Sequence, residues 1–488
     1  MRIAERFRRA LKWIDHHSIG GEGIAVSSKS ARSYPEVSGY FIPSLLAWNE
    51  IDRARGYGSW LISVQHADGS WGDPNLDEPY AFDTGQIIKG LLALDKAFPG
   101  EGWEPAVRRA CNWMVSLVGD DGKPNAPDIK AWNGEVPTAV LLYSYEAVKR
   151  AAEHFQVPEW SAAVDRLVAW FLDQPELTRF SHLSHFHAYV LEALCDLGLH
   201  ERAAEGMKEV AILQRPSGAV PGFAKVKWVC STGLLQYAIV WYKLGDFERG
   251  NLAFDYATKL QNSSGGWWGS YGWSKKYFPR TEISWAVKYF LDALQLKLRA
   301  SFESMAPIFS ETIPRDDGRY RLVLDQVEQT GALTILDAGC GKGRYLRNLL
   351  DDRASASLFA SDLSDAVMSA LPGKIEKRQG SLLRLPYADG AFDLTYTVEA
   401  LEHAVHIDGA LRELLRVTKP GGTLIIIDKN ARKVGRLELP DWEQWFDLKS
   451  LAEKLEELGC EVQIVNNVPY EGKADGLFAA WIAKKSAV

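Results

Sequence analysis

Three glycines at alternate positions follow an aspartate in this chain, in the run Leu336-Asp337-Ala338-Gly339-Cys340-Gly341-Lys342-Gly343. The apolar residues before this run predict a buried parallel strand, and the residues after it predict a helix. Glycines at such a turn let backbone N–H groups approach a ligand that side chains would keep away. A second predicted strand ends at Asp362, nineteen residues after Gly343. A carboxylate at that distance can accept hydrogen bonds from two ribose hydroxyls, so the two segments indicate a nucleoside site.

Further segments follow in a fixed order. A Gly-Ser-Leu-Leu-Arg-Leu-Pro segment at 380–386 precedes a predicted strand at 392–396, and Glu-Ala-Leu-Glu-His follows at 399–403. A Lys-Pro-Gly-Gly-Thr turn at 419–423 then leads into another predicted strand. Together these segments resemble the class I S-adenosylmethionine (SAM)-dependent methyltransferases, over about residues 310–488. The resemblance implies a Rossmann-like α/β domain with SAM as its cofactor.

The same resemblance implies roles for individual residues. The glycine run would surround the methionine part of SAM, Asp362 would accept from the ribose, and Ser381 and Leu382 would lie beside the adenine. The family often has aspartate where this chain has Ser381. The residues expected to bind the cofactor are Asp337, Gly339, Cys340, Gly341, Gly343, Asp362, Leu363, Ser381 and Leu382.

Candidate catalytic residues follow the fourth predicted strand of this domain. Methyl transfer requires positioning and, for a hydroxyl nucleophile, a base. Glu399, Glu402 and His403 are the candidates, and the last two match the family's common Glu-His pair. In that pair the histidine is a base in some members and structural in others, and the sequence leaves both roles open.

The first three hundred residues contain a repeat of helix starts. Polar or tight turns followed by apolar runs recur near Glu36, Asp83, Pro137, His185, Ser231 and Glu282. The steps between them are 47, 54, 48, 46 and 51 residues, and a more charged helical stretch follows each apolar one. Six apolar helices can bury one another if an outer ring covers them, so the repeat predicts a closed ring of helical hairpins.

A second periodic signal lies in the outer helices. A glutamine followed by a glycine turn and a tryptophan occurs at Gln65–Trp71 and again at Gln261–Trp267. These segments look like the glutamine-tryptophan repeats of the terpene cyclase and protein prenyltransferase (α/α)6 toroids. The acidic cyclase motif and the zinc set of the prenyltransferases are not recognisable. We expect residues 1–305 to form a substrate-binding all-α toroid and residues 306–488 to form the methyltransferase domain.

In such a ring the inner-helix N-termini would point into a central cavity. The residues expected there are Glu36, Tyr40, Asp83, His185, His187, Trp228, Glu282 and Trp285. Carboxylates, histidines and aromatic faces suit a saccharide, which offers hydroxyls and apolar CH faces. Each acid alone would equally suit a helix N-cap or first turn. His185 and His187 face different sides of a helix, so no metal site is predicted.

Composition excludes several classes of function. The net charge of -7 argues against a general nucleic-acid binder, which needs concentrated positive charge. The five cysteines are scattered, without zinc-type spacing, which favours a reducing cytoplasm. No apolar run reaches the roughly 18 residues of a membrane helix, so no integral membrane segment is expected. The sequence does not indicate an oligomeric state.

The hypothesis from sequence is therefore a cytoplasmic SAM-dependent methyltransferase. Its expected acceptor is a hydroxyl of a sugar or glycoconjugate, held by the toroid. Three alternatives stay open: an isoprenoid or lipid acceptor, a bifunctional enzyme whose toroid hydrolyses or epimerises a glycan, and a non-catalytic SAM-binding scaffold.

Overall fold

The computed structural model describes residues 2–72, 75 and 77–487, which separate into two compact units. The helical unit comprises residues 8–46 and 50–297, within the described ranges. The sheet unit comprises residues 2–7, 47–49 and 298–487. The division therefore falls at Lys297 rather than at the expected residue 305, and two short segments from the front of the chain belong to the sheet unit.

The N-terminal part of the chain is mostly helical. Its helices are α1 (Ile3–His17), α2 (Pro35–Ala47), α3 (Ile51–Ser63), α4 (Ala81–Ala97), α5 (Glu104–Ser116), α6 (Asp128–Trp132), α7 (Leu141–Phe155), α8 (Pro158–Leu172), α9 (Ser184–Asp196), α10 (His200–Leu213), α11 (Ser231–Lys243), α12 (Phe247–Lys259) and α13 (Ser284–Met305). A 3-10 turn at Thr138–Val140 leads into α7. Each of the six predicted helix starts lies within two residues of an observed one.

Deeply buried helices alternate with helices that bury one stripe. Every residue of α11 from Ser231 to Tyr242 is buried, whereas α8 buries Trp160, Ala163, Val164, Leu167 and Phe171. The second pattern has the spacing of an amphipathic helix with one apolar face. Within the described residues, α2, α4, α7 and α9 resemble α11, and α3, α5, α10 and α12 resemble α8.

The buried helices pack in chain order. Helix α4 packs on α7, α7 on α9, and α9 on α11. Gly39 of α2 allows a close crossing, because a Cβ there would lie 2.6 Å from the Cα of Ile87 in α4. Ser44 of α2 donates to the Asp292 carboxylate of α13 at 2.5 Å. The last buried helix thus returns to the first.

The glutamine-tryptophan motifs join helix ends in the same way at both sites. Trp71 Nε1 donates to the carbonyl of Leu61, and Trp267 Nε1 donates to the carbonyl of Ala257. The preceding glutamines each donate to the carbonyl of a turn glycine. Both indoles are fully buried, so the motifs anchor loops on the outer helices.

Two short strands link neighbouring loops of the helical unit. Strand β1 (Val229–Cys230) precedes α11 and strand β2 (Ser270–Tyr271) lies between α12 and α13. They pair antiparallel, with Val229 opposite Tyr271 and Cys230 opposite Ser270. This pairing fixes the two loops side by side.

The sheet unit contains seven strands in the order β5-β4-β3-β6-β7-β9-β8. These are β3 (Thr334–Ala338), β4 (Ser357–Asp362), β5 (Glu376–Gln379), β6 (Phe392–Val398), β7 (Thr418–Lys429), β8 (Cys460–Tyr470) and β9 (Lys473–Lys485). Its helices are α14 (Gly318–Thr330), α15 (Arg344–Asp352), α16 (Asp365–Met368), α17 (Ile407–Val417) and α18 (Leu448–Glu457). Strands β5, β4, β3, β6 and β7 are parallel, and β9 runs antiparallel to both β7 and β8.

The strand order determines where a ligand can bind. From β3 the chain proceeds outward through β4 to β5, and then crosses to β6 on the other side of β3. The carboxyl ends of β3 and β6 therefore flank a point at which the direction of winding changes. In open α/β sheets such a crevice is the usual ligand site. Residues 424–427 of β7 are fully buried, as expected for a sheet covered on both faces.

Two short segments complete the sheet unit. The backbone N–H of Ile3 donates to the carbonyl of Asp441 at 3.1 Å. The Asn49 side-chain amide donates to the carbonyls of Leu383 and Gly409, at 3.0 and 3.1 Å. No sequence motif indicates these contacts, because the partners lie hundreds of residues apart in the chain.

The five cysteines are free and buried. Among the helices of the described ranges, none combines the length and the apolar character needed to cross a bilayer.

Candidate nucleoside site and buried aromatic layer

The glycine loop connects β3 to α15 in left-handed backbone conformations. Gly339, Gly341 and Gly343 have φ of 81°, 53° and 73°, values that side-chain-bearing residues rarely adopt. A Cβ at Gly339 would lie 2.4 Å from the Cβ of Ala400, whereas a Cβ at Gly341 would have no neighbour nearer than 4.0 Å. Gly339 is therefore required by packing, and the space beside Gly341 is open to a ligand.

Replacing Gly339 by alanine is expected to destabilise the sheet unit by about 2–4 kcal/mol, because a strained φ and a steric overlap add together. Calorimetric unfolding of the full chain would measure the change. Gly373→Ala is the matched control, since nothing lies within 4 Å of a Cβ at that position. Equal stability of the two variants would contradict the packing argument.

Asp362 lies at the end of β4 and connects to the glycine loop. Its Oδ2 accepts from the backbone N–H of Gly341 at 2.9 Å, and its Oδ1 accepts from that of Ser364 at 3.0 Å. Burial raises the pKa of this carboxyl, although backbone N–H donors act in the opposite direction. The predicted acid thus meets the predicted loop at one edge of the sheet.

Asp337 supplies a second buried carboxyl beside this loop. The Tyr396 hydroxyl donates to it at 2.9 Å from the neighbouring strand β6. Burial raises the pKa of Asp337 to about 7, and the nearby charge of Asp362 acts in the same direction. A cationic ligand would favour the ionised form of both groups. The sequence did not indicate Tyr396, which sits in an ordinary strand.

The other predicted cofactor residues lie at the same edge. The Cys340 N–H donates to the Ser361 carbonyl at 3.1 Å, and the Leu363 carbonyl accepts from the Gln379 side chain at 3.0 Å. Ser381 Oγ accepts from the backbone N–H of Leu383, so this hydroxyl already stabilises the local turn. All nine residues are brought to the ends of β3, β4 and β5.

Glu399 follows β6 in a strained conformation, with φ of 53°. Its Oε1 accepts from Arg319 at 2.7 Å and from Arg344 at 2.5 Å. Arg319 also holds both carboxylate oxygens of Asp317. Two guanidiniums stabilise the ionised form of the Glu399 carboxylate, so it is poorly suited to accept a proton as a base. Its role is instead to hold the two arginines in position. Neither arginine belongs to a motif that the sequence reveals.

The Glu402–His403 pair lies on a 3-10 turn after β6, next to the end of β7. Glu402 Oε1 accepts from Lys429 Nζ at 2.6 Å and lies 3.4 Å from His403 Nε2. Glu443 lies 3.4 Å from the same ammonium and accepts from the Trp445 indole at 2.5 Å. Ligand atoms of Glu402, His403 and Glu443 lie within 4.8 Å of one another, a grouping that could hold a metal ion. The Lys429 ammonium already supplies positive charge to these carboxylates.

Burial controls the protonation of this cluster. It raises the pKa of Glu402 to about 7, against the opposing charge of Lys429. It lowers the pKa of His403 to about 4, so the imidazole is neutral at pH 7. In the described part of the chain, His403 Nδ1 is buried without a hydrogen-bond partner. A neutral ring with one unsatisfied nitrogen has the chemistry of a proton acceptor.

In the helical unit, five of the eight predicted cavity residues lie in one buried aromatic cluster. Trp285 Nε1 donates to Glu36 Oε2 at 3.1 Å, and Tyr34 donates to Asp83 at 2.8 Å. The His185 ring lies 6.0 Å from the Trp285 ring. Burial raises the pKa of Glu36 to about 8, against the opposing hydrogen bond from Trp285, so its carboxyl is largely neutral at pH 7.

Tyr40 belongs to a layer that crosses this unit. Tyr40, Gln86, Tyr143, Tyr189, Gln236 and Tyr289 each lie five residues after the first residue of their helical segment (35, 81, 138, 184, 231 and 284). The hydroxyls of Tyr40 and Tyr189 are 3.3 Å apart, as are those of Tyr289 and Tyr143. We call these six residues the tyrosine layer; their common offset emerges only when it is counted from the first residues of the segments as the structure has them.

The remaining three predicted cavity residues lie elsewhere. His187 contacts the Tyr237 hydroxyl and the Thr178 carbonyl, because two residues along a helix turn a side chain to the opposite face. Trp228 is buried in a separate cluster with Leu183 and Cys230. Glu282 precedes α13 and accepts from Trp13 at 2.7 Å, so it anchors a loop.

Residues 336–426 match the protein family described as Methyltransferase domain. The sterol 24-C-methyltransferase of Schizosaccharomyces pombe is 26% identical over 144 residues, 28% of this chain and 34% of that protein. The 2-methyl-6-phytyl-1,4-hydroquinone methyltransferase of Synechocystis sp. is 33% identical over 116 residues, 23% and 36% of the two chains. A solved structure from Thermotoga maritima, described as a SAM-dependent methyltransferase and possible histamine N-methyltransferase, matches with a TM-score of 0.31 at 19% identity. The match covers 38% of this chain and 98% of that one.

The chain thus spans about a third of the length of these two curated relatives. The matched residues include the glycine loop, Asp362 and the Glu402–His403 pair. The C-terminal part of the chain contains a SAM-dependent methyltransferase domain.

Proposed function

We propose that the protein transfers the methyl group of SAM to an isoprenoid or other lipid acceptor. The observation that carries the SAM site is the 2.9 Å hydrogen bond between Gly341 and Asp362, beside space that no side chain fills. The donor set fits the cofactor, since two buried carboxyls face a ligand that is a cation at sulfur. When bound, SAM supplies an electrophilic methyl group.

The residues of the chain then have separate tasks. Asp362 would accept from the ribose hydroxyls and keeps the glycine loop in place. Asp337 and the loop backbone would orient the amino-acid end, supported by the arginine pair on Glu399. His403 takes the proton that the acceptor hydroxyl loses, and Glu402 orients the imidazole. The Phe302 ring, 5.2 Å from that of His403, gives this side an apolar wall.

We assign acceptor binding to the helical unit, as an (α/α)6 toroid. Its chain-order packing and the repeated offset of the tyrosine layer support a six-fold ring. An aromatic interior suits an extended apolar ligand better than a highly hydroxylated one. The names of several curated relatives agree with this choice, since they refer to sterols, a phytyl hydroquinone and tocopherol.

A sugar hydroxyl is the second candidate acceptor. Glu36, Asp83 and His185 are polar groups set among aromatic rings, an arrangement that also suits a saccharide. The two candidates differ in solubility, which makes them experimentally separable.

The test is transfer of a labelled methyl group from SAM into host extract. The extract is partitioned into organic and aqueous phases after incubation with the full chain, and Asp362→Ala serves as the inactive control. Label in the organic phase supports the lipid acceptor, and label confined to water-soluble glycans supports the second candidate. Binding of SAM by calorimetry without any transfer would overturn the enzymatic proposal.

SAM affinity is expected to rise with pH between 6 and 8, by up to about tenfold. Asp337, with its pKa near 7, is partly protonated in the free protein, and a sulfonium favours its ionised form. Binding below pH 7 must therefore release a proton. Calorimetry in buffers of different ionisation enthalpy measures that release, and S-adenosylhomocysteine, which lacks the sulfonium charge, should show a flatter profile. A flat profile for SAM itself would contradict the assignment.

A further inference from the structure

The two loops joined by β1 and β2 expose large aromatic side chains. Trp273, directly after β2, is 88% exposed, and Phe278 on the same loop is 37% exposed. Phe223, on the loop before β1, is 38% exposed. Exposing an indole so fully costs free energy in water. Two partly exposed phenyl rings on the paired loops extend the same apolar surface, and a surface of this kind calls for a binding partner.

The same loops carry positive charge without any acid. Residues 215–230 and 268–281 contain six lysines and arginines and no aspartate or glutamate, in a chain whose net charge is -7. Lys225, Lys227, Lys276 and Arg280 are exposed. Within the described residues, none of these four forms an ion pair. We call the two loops together the aromatic-basic face.

This combination has the chemistry of a membrane interface. Tryptophan side chains favour the headgroup region, where the ring is partly dehydrated and its N–H remains hydrogen-bonded. Lysines beside them are attracted to anionic headgroups, and stable association generally needs both contributions. A sulfated polysaccharide would use the charges but would leave Trp273, Phe223 and Phe278 exposed.

We propose that the aromatic-basic face docks the helical unit on a bilayer surface that contains anionic lipids. The loop after β2 also turns inward, since the Tyr277 ring lies 6.1 Å from that of His185. The Phe278 ring lies 6.1 Å from that of Trp285, the residue that donates to Glu36. One loop therefore reaches from the docking face to the buried cluster, a path along which an apolar acceptor can enter. This path rests on the proposed lipid acceptor; the docking does not.

Vesicle sedimentation of the full chain tests the docking. We expect binding to phosphatidylcholine vesicles that contain phosphatidylglycerol, weak binding to phosphatidylcholine alone, and a decline with added salt. Lys225→Glu/Lys227→Glu, at two of the exposed positions, should lower the partition coefficient by at least about tenfold, and Trp273→Ala by several-fold. Matched controls are Lys208→Glu/Lys259→Glu on the exposed faces of α10 and α12, and Leu333→Ala at an exposed apolar position.

Two outcomes overturn the proposal. One is an absence of vesicle binding, including the case in which heparin or RNA binds the face instead. The other is binding that the loop variants and the controls affect equally. Methylation of a water-soluble acceptor with vesicle binding intact would refute the lipid acceptor but not the docking, and the reverse result would refute the docking alone.

Discussion

The Asp362→Ala variant is expected to bind SAM about 100-fold more weakly than the natural chain, because hydrogen bonds to a buried charged group contribute about 1.5–3 kcal/mol each. In the proposed site the carboxylate would accept from the ribose, and in the structure it accepts from the Gly341 and Ser364 N–H groups. Its removal therefore costs ligand contacts and loosens the loop. Isothermal titration calorimetry measures the change.

The control for this prediction is Asp325→Asn, at an exposed position of α14. It should leave SAM affinity within about twofold of the original, as is usual for an exposed site. Circular dichroism of both variants should match that of the natural chain. An Asp362→Ala protein that binds SAM normally would show that the nucleoside lies elsewhere.

Replacement of His403 by asparagine is expected to lower kcat by about 10²- to 10⁴-fold at saturating SAM, the range that positioned bases contribute. The imidazole is neutral at pH 7, since burial lowers its pKa to about 4. Its Nδ1 is unpartnered in the described residues. SAM affinity should stay close to that of the natural chain, because the role proposed for His403 is proton transfer and not cofactor binding.

The pH profile separates a base from a structural histidine. Protonation of His403 should remove activity only as the pH falls toward about 4, and that limb should be absent from the asparagine variant. His200→Asn, at an exposed position of α10, is the matched control and should retain full kcat. A His403→Asn enzyme with normal kcat would indicate that the acceptor needs no base from this residue.

Local signals predicted much of the fold. The turn glycines between β3 and α15 and the acid at the end of β4 are fixed by backbone sterics and by strand periodicity, which act over a few residues. The six helix starts were equally local. The order of the strands in the sheet and the placement of β9 depend on pairings across the whole unit, which no short segment determines.

The parts of the sites that were not predicted depend on distant partners. The pairing of Glu399 with Arg319 and the hydrogen bond from Tyr396 to Asp337 join residues about sixty to eighty positions apart. Glu282 and His187 were misplaced for a related reason: a residue type near a helix start does not reveal which face it occupies. The tyrosine layer was missed although its offset is regular, because the pattern appears only when the six starts are aligned.

The position of β9 has a consequence for synthesis on the ribosome. This strand lies between β7 and β8, so the sheet cannot close until the last of its seven strands has left the exit tunnel. Residues 2–7, which belong to the same unit, emerge before those strands and wait for them while the residues between are translated. At about 5–20 residues per second that interval is on the order of a minute. A premature stop codon before β9 would leave β8 without its partner strand and the methyltransferase sheet incomplete.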